Sequence, residues 1–284
     1  MTALQTRPRV LTARDADGLR ALVERDLVVN CVLDSRLALA PDLDSRRLGG
    51  FIWGIDDADA PVLRAAVFHG GNLIPVGQDA AGLIAIAEQL ARGARGCSSI
   101  VGPAASVDAI WPVLAPHWGP SRARRHRQPL LVTGQRAAMS ADPLVRPVAP
   151  SELARFLPAA TAMFTEELGI SPLAHGTAAS YRARVAEVIA SGRAFARFDQ
   201  AGAVEFKAEI GALGSGTAQI QGVWVRPDLR GRGIGTAAMA SVIAYALQRA
   251  PSVSLYVNDF NEPARRMYAR LGMQQQSTLS TVLF

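Results

Sequence analysis

Arg230-Gly231-Arg232-Gly233-Ile234-Gly235 sets glycines and arginines between an apolar run, residues 219–225, and a stretch of helical periodicity, residues 236–249. A glycine-rich turn that opens a helix gathers backbone N–H groups at the positive end of the helix dipole. Phosphate oxygens bind there, and glycine admits a pyrophosphate that a side chain would hold away from the backbone. The segment therefore predicts a phosphorylated cofactor. An ATP-type loop needs a lysine directly after the glycines, and none follows. A dinucleotide pattern, G-x-G-x-x-A, does occur at Gly233, Gly235 and Ala238, with Asp259 closing the next apolar run. Against it, residues 227–232 separate the strand from the first glycine, and the chain beyond is too short for the rest of a doubly wound sheet.

Further chemistry follows downstream. Leu255-Tyr256-Val257-Asn258 reads as a strand, and after it comes Asn261-x-x-Ala264-x-x-x-Tyr268-x-x-x-Gly272-Met273. Asn261 precedes Glu262-Pro263 and suits a helix cap. Arg230-x-x-Gly233-x-Gly235 and this second pattern, in that order, resemble the two signatures of the GNAT superfamily of N-acetyltransferases. Those signatures are [QR]-x-x-G-x-[GA] and N-x-x-A-x-x-x-Y followed by G-F. Residues 144–284 are identified on this basis as a GNAT domain. The resemblance implies an α/β (α+β) fold with a mixed central sheet and flanking helices, acetyl-CoA as acyl donor, and no metal. It also implies that Gly231, Arg232, Gly233, Ile234, Gly235 and Thr236 surround the pyrophosphate, with Arg230 and Arg232 adding charge. Val223-Trp224-Val225 would offer backbone groups to the pantetheine as an added strand does, and Asn258 and Asn261 would lie near the same arm. Tyr268 would be the general acid that meets the departing thiolate.

An acceptor amine of lysine type is protonated at neutral pH, with a pKa near ~10.4, so a base must take a proton before nitrogen attacks. Glu166 and Glu167 end the first helix of the domain, Glu205 and Glu209 share one face of a strand, and His175 lies in a loop. Tyr256 stands where some family members carry a glutamate base, which argues against that version of the mechanism. Glu167 is the first choice. Neither cysteine, Cys31 or Cys97, falls near the motifs, so direct attack in a ternary complex is expected rather than an acyl-enzyme. The acceptor is a small-molecule or protein amine. A non-catalytic acyl-CoA-binding regulatory module is the alternative.

The elements that must position these residues run as strand (144–148), helix from Ser151 to about Leu168, helix (177–191), strands at 194–198, 204–213 and 219–225, helix, strand, helix and a last strand (278–284). Residues 134–143 are small, polar and proline-terminated, and mark a boundary between an N-terminal domain, 1–136, and the GNAT domain, 144–284. The first half echoes the second: helix 13–28, strands 50–53 and 62–68, helix 80–92, strand 98–101, helix 107–114, strand 129–132. Where the phosphate motif would fall stands His69-Gly70-Gly71-Asn72-Leu73-Ile74-Pro75. The first half is read as a degenerate GNAT-like domain without cofactor binding, an unrelated α/β cap being the alternative. The layout is similar to two-domain actinobacterial GNAT proteins with an N-terminal domain of unknown function.

Bulk properties limit the remaining classes. At 49% hydrophobic and 19% charged residues, the chain is a folding sequence and not a disordered one. No apolar run reaches membrane-spanning length and no signal region opens the chain, so a cytoplasmic protein without membrane contact is expected. The net charge of +6 is almost wholly arginine, since Lys207 is the only lysine. Its densest cluster is Arg122, Arg124, Arg125, His126 and Arg127, and no aromatic residues interleave with it as single-strand stacking requires. The cluster is read as a solvated loop, and no specific nucleic-acid partner is expected. Nothing in the sequence sets the oligomeric state.

Overall fold

A computed structural model describes residues 7–57, 60, 62–174 and 177–284. In the first half, β1 (Arg9–Val10), α1 (Ala16–Val23), α2 (Cys31–Leu39) and α3 (Ser45–Leu48) precede β2 (Gly50–Asp56), β3 (Leu63–Gly70) and β4 (Asn72–Val76). α4 (Ala80–Ala91), β5 (Ser99–Pro103), α5 (Ala104–Trp118) and β6 (Ala123–Thr133) follow. The second half repeats the pattern with β7 (Arg146–Pro147), α6 (Leu153–Leu168), α7 (Ala178–Ala190), β8 (Ala194–Phe198), β9 (Val204–Leu213) and β10 (Ala218–Val225). It closes with α8 (Ile234–Ala246), β11 (Val253–Tyr256), α9 (Glu262–Arg270) and β12 (Gln274–Leu283).

The strands form one sheet in the order β1-β2-β3-β4-β5-β12-β6-β11-β10-β9-β8-β7. Within it β4 and β5, and β10 and β11, are the parallel pairs, and the other neighbours are antiparallel. The two halves exchange their sixth strands. β12 lies beside β5 of the first half, β6 lies beside β11 of the second, and the two exchanged strands pair with each other at the centre. Packing follows the exchange, because Val282 of β12 belongs to the first half's core and Leu131 of β6 to the second's.

Each half has helices on both faces. Strand periodicity divides β9 cleanly: Phe206, Ala208 and Ile210 face α8, while Lys207 and Glu209 face the opposite side, where α6 and α7 pack. α8 buries Ala238, Met239, Ala240, Val242 and Ile243, and its small residues let it lie close to the sheet. Truncating Ile243 to Ala would cost about 2–5 kcal/mol.

Several expectations from the sequence change. The arginine cluster is not a solvated loop: residues 123–127 belong to β6, held by β12 on one edge. Charged side chains masked that strand, whose buried part begins only at Gln128. Residues 144–148 give a strand of two residues only. Ser151 is not the helix cap. A 3-10 turn over Pro150–Glu152 leads into α6, and the Glu152 carboxylate accepts from the Ala149 N–H at 2.9 Å and from Arg146. The phosphate-equivalent turn of the first half falls at residues 77–79, since Asn72–Val76 is already strand. Helices α2 and α3 had no sequence signal strong enough to predict them; α2 packs on β9 of the second half, and its Cys31 Sγ meets Thr217 O, in the turn between β9 and β10, at 3.3 Å.

Candidate functional site

β10 and β11 pair in parallel only at Ala218–Val253 and Gln219–Ser254. Beyond that they diverge, and a bulge between Gln221 and Trp224 turns β10 away. Gly222 occupies the bulge with φ +60°, and a Cβ there would sit 3.0 Å from Lys207 Nζ and 3.1 Å from Met163 Cε. The bulge therefore needs glycine for both its backbone and its space. The result is a cleft with Val223, Trp224 and Val225 along one wall and Leu255 and Tyr256 along the other.

The glycine turn lies at the end of the first wall. Gly231 and Gly233 have φ +76° and +80°, and nothing lies within 4 Å of where a Cβ would stand on either. Gly233 is the N-cap of α8. No N–H from residue 231 to 235 finds a protein acceptor among the described residues. Gly235 is backed by Val225 and Met267, which a Cβ would meet at 3.1 and 3.4 Å. An open, five-donor cradle at a helix N-terminus fits a pyrophosphate, and Ile234 and Thr236 begin the helix behind it. Arg232 is exposed beside it. Arg230 is turned elsewhere: its Nε donates to Val225 O at 2.9 Å and its Nη2 to Glu166 Oε2 at 2.6 Å.

The end of α6 crosses the mouth of the cleft. Glu166 is bound to the β10 side, accepting from Trp224 Nε1 at 3.0 Å as well as from Arg230. Glu167 is bound to the β6 side by Arg125 at 3.0 Å. Tyr268 is buried, and its hydroxyl hydrogen-bonds no described residue. Burial and then the negative field of Glu167 push its pKa up. Tyr256 keeps 36% of its surface exposed, yet its hydroxyl end is crowded enough that desolvation, then Glu167, raises its pKa too. Three residues distant in sequence thus share one electrostatic neighbourhood: Glu167, Tyr256 and Tyr268.

The asparagines are placed by the fold. Asn261 caps α9 through its side-chain oxygen, which accepts from Ala264 N at 3.3 Å. Asn258 Oδ1 accepts from Gln128 Nε2 at 2.9 Å, and the buried Gln128 in turn accepts from Thr281 Oγ1 at 2.5 Å. Of the other acids, Glu205 is tied to Arg197 at 2.5 Å. Glu209 is buried against Lys207 at 2.6 Å. Burial works to raise the Glu209 pKa, and Lys207 and Arg184 overcome it to hold the carboxyl below its ordinary range. His175 lies outside the described residues. Sequence reasoning missed Arg125, Gln128 and Lys207; a lone lysine among so many arginines was the available signal for the last.

The corresponding parallel pair of the first half, β4 and β5, also pairs at two positions but stays closer beyond them. A Cβ at Gly102 of β5 would come within 2.9 Å of Pro75 of β4, so these strands stay in contact. The following turn ends in Asp79, the N-cap of α4, and a carboxylate there opposes an anion. The cysteines are buried, and burial pushes both thiols up to about 11, which suits neither to nucleophilic work. Among the described residues no group of acids, histidines and cysteines could hold a metal, and no helix is long and apolar enough to cross a membrane.

Residues 163–273 match the acetyltransferase (GNAT) family model, and residues 50–156 match that of a domain of unknown function, DUF4081. An uncharacterized N-acetyltransferase of Methanocaldococcus jannaschii is 41% identical over 63 residues, a stretch that covers 22% of this chain and 28% of that protein. A solved Drosophila protein superposes with a TM-score of 0.70 at 12% identity, covering 98% of this chain and 99% of its own. A GNAT-family acetyltransferase from Colwellia psychrerythraea does so at 0.58 and 12% identity, with the same coverage. A tandem GNAT protein from the clavulanic acid biosynthesis pathway gives 0.53 at 14% identity, covering 98% of each chain. At these identities the likeness is one of fold, and it runs through both halves.

Proposed function

We propose that this chain, whose residues 163–273 form an acetyltransferase domain of the GNAT family, moves an acetyl group from acetyl-CoA to a primary amine within a ternary complex. The observation that carries the reading is the cleft between β10 and β11, opening onto a cradle of unpartnered N–H groups with Glu167 and Tyr268 in one field beside it. Residues 231–236 would hold the pyrophosphate, the free edge of Val223–Val225 the pantetheine amides, and Asn258 and Asn261 would border the arm. Acetyl-CoA supplies the activated acyl group and a thiolate leaving group.

The chain's own residues do the proton work. Glu167 Oε1 is taken by Arg125, which leaves Oε2 to accept a proton from the incoming ammonium, directly or through one water. Tyr268, kept protonated by burial and by the same carboxylate, holds a proton where negative charge develops on sulfur. The bulged strand presents backbone N–H groups at the acyl carbonyl side. The first half, with its strands closed at Pro75, acts as a partner of the fold and not as a second cofactor site.

Thermal unfolding with acetyl-CoA, CoA and NAD tests the cofactor assignment. A ligand at 100 times its Kd adds ~2.7 kcal/mol, or roughly 5–10 °C at ~2–4 °C per kcal/mol. A shift with acetyl-CoA and CoA but not NAD supports the assignment, and no shift with either CoA species removes it. CoA release is then followed with amino acids, spermidine, kanamycin and peptides with free N-termini. Binding without turnover on any of them would favour the non-catalytic acyl-CoA-binding module.

A further inference from the structure

The first half, whose β4 and β5 approach closely at Pro75 and Gly102, reaches into the cleft of the second. β6 belongs to the first half by chain order and is the strand that borders β11. The hydrogen bonds continue past β11, where Val257 and Asp259 donate to Pro129 O and Arg127 O at 3.2 and 3.1 Å. Two of its side chains touch residues of the site. Gln128 fixes Asn258. Arg125, with only 14% of its side chain exposed, grips Glu167 twice: Nη1 donates to Oε1 at 3.0 Å and Nη2 to the main-chain O at 2.8 Å.

We infer that Arg125 is a positioning residue for acetyl transfer, supplied across the strand exchange so that the first half completes the second half's site. The inference rests on the proposed role of Glu167. A glutamate at the last turn of a helix has free rotamers, and a flexible carboxylate spends little time aimed at a substrate. The planar guanidinium fork removes that freedom by holding one carboxylate oxygen and the backbone carbonyl of the same residue together. One oxygen is engaged, the other is presented to the cleft, and the field reaching Tyr256 and Tyr268 is fixed in direction. Lysine would keep the charge and lose the fork.

Arg122 supplies a control within the same strand region. It donates to Leu168 O, one residue further along α6, and pairs with no carboxylate among the described residues. It supports the helix end without aiming Glu167. The test measures kcat and KM of the full chain with acetyl-CoA and the most active amine of the panel, for Arg125→Gln, Arg125→Lys and Arg122→Gln. Arg125→Gln is expected to lower kcat about 10-fold or more, as small misplacements of a catalytic group do, with KM for acetyl-CoA and the CoA-induced thermal shift unchanged. Arg125→Lys should recover part of the loss, and Arg122→Gln should stay within about 2-fold of the parent, an effect small on that scale. In a Glu167→Gln background Arg125→Gln should have no further effect on kcat. An active parent with an equally active Arg125→Gln overturns the inference, as does an equal fall in Arg122→Gln. A parent that turns over no amine removes the transferase reading and the inference together, so the two failures are distinct.

Discussion

Replacing Lys207 with methionine should destabilise the protein far more than its loss of one hydrogen bond suggests. Lys207 is 0% exposed and Glu209 2%, and they meet at 2.6 Å behind the β10 bulge. Phe156 lies over the ammonium at 5.3 Å. Methionine fills the space of the stem but leaves Glu209 with Arg184 as its one cation among the described residues, at 3.5 Å from the solvent side. Removing one partner of a buried pair costs ~3–5 kcal/mol, and the remaining arginine places the expected loss near ~3 kcal/mol. At ~2–4 °C per kcal/mol this lowers Tm by roughly 6–12 °C. Lys207→Met with Glu209→Gln should recover most of it, because no bare carboxylate then remains. The pH dependence gives a second handle. In the parent the Glu209 pKa is depressed, so its contribution is present above the ordinary glutamate range and lost as pH falls through the folded value. With Lys207 gone, burial dominates and the sign reverses: the variant is weakest at high pH and gains on the parent as pH is lowered. Denaturation of the parent, the single and the double variant between pH 5 and 8 decides it. A single variant within about 1 kcal/mol of the parent, set against that 3–5 kcal/mol scale, or a double variant no better than the single, would refute the reasoning.

Three further outcomes are expected. Tyr268→Phe should lower kcat about 100-fold, in the range of general-acid contributions, while the fold and the CoA-induced thermal shift persist, since the hydroxyl has no partner among the described residues to lose; an unchanged rate removes the acid role. Gly233→Ala should cost ~1–2 kcal/mol of stability for its left-handed backbone, with no clash at its open Cβ position, and should abolish the acetyl-CoA thermal shift; a retained shift would move the pyrophosphate elsewhere. In acid, Asp15 and Glu152 are both pulled down to about 2, by Arg9 and Arg146 respectively. Their stabilisation is present above the ordinary carboxylate range and lost as pH falls towards 2, so Asp15→Asn with Glu152→Gln should flatten the acid limb of a Tm–pH curve, which an unaltered limb would contradict.

The cradle was legible because its chemistry is local. Glycines at 231 and 233 are required by a turn whose geometry is set within a few residues, and the helix that follows declares itself through its own periodicity. The cap at Asn261 and the tyrosine two turns on are fixed in the same way, by spacing along one helix. The sequence therefore carried the glycine turn, the helix behind it and the tyrosine two turns beyond the Asn261 cap, along with a first half that repeats the pattern without the glycines.

Only the tertiary structure decided what completes the site. The exchange of β6 and β12 joins residues separated by more than a hundred positions, and a strand's pairing partner leaves no periodic trace in its own sequence. Arg125 reads from sequence as one charge in a solvated run, because its partner Glu167 arrives from α6, far away along the chain. Lys207 and Glu209 read as polar positions of a half-exposed strand until α6 and α7 close over that face. Backbone geometry and helix spacing are short-range properties and can be read along the chain; desolvation and charge pairing belong to neighbours that folding alone brings together.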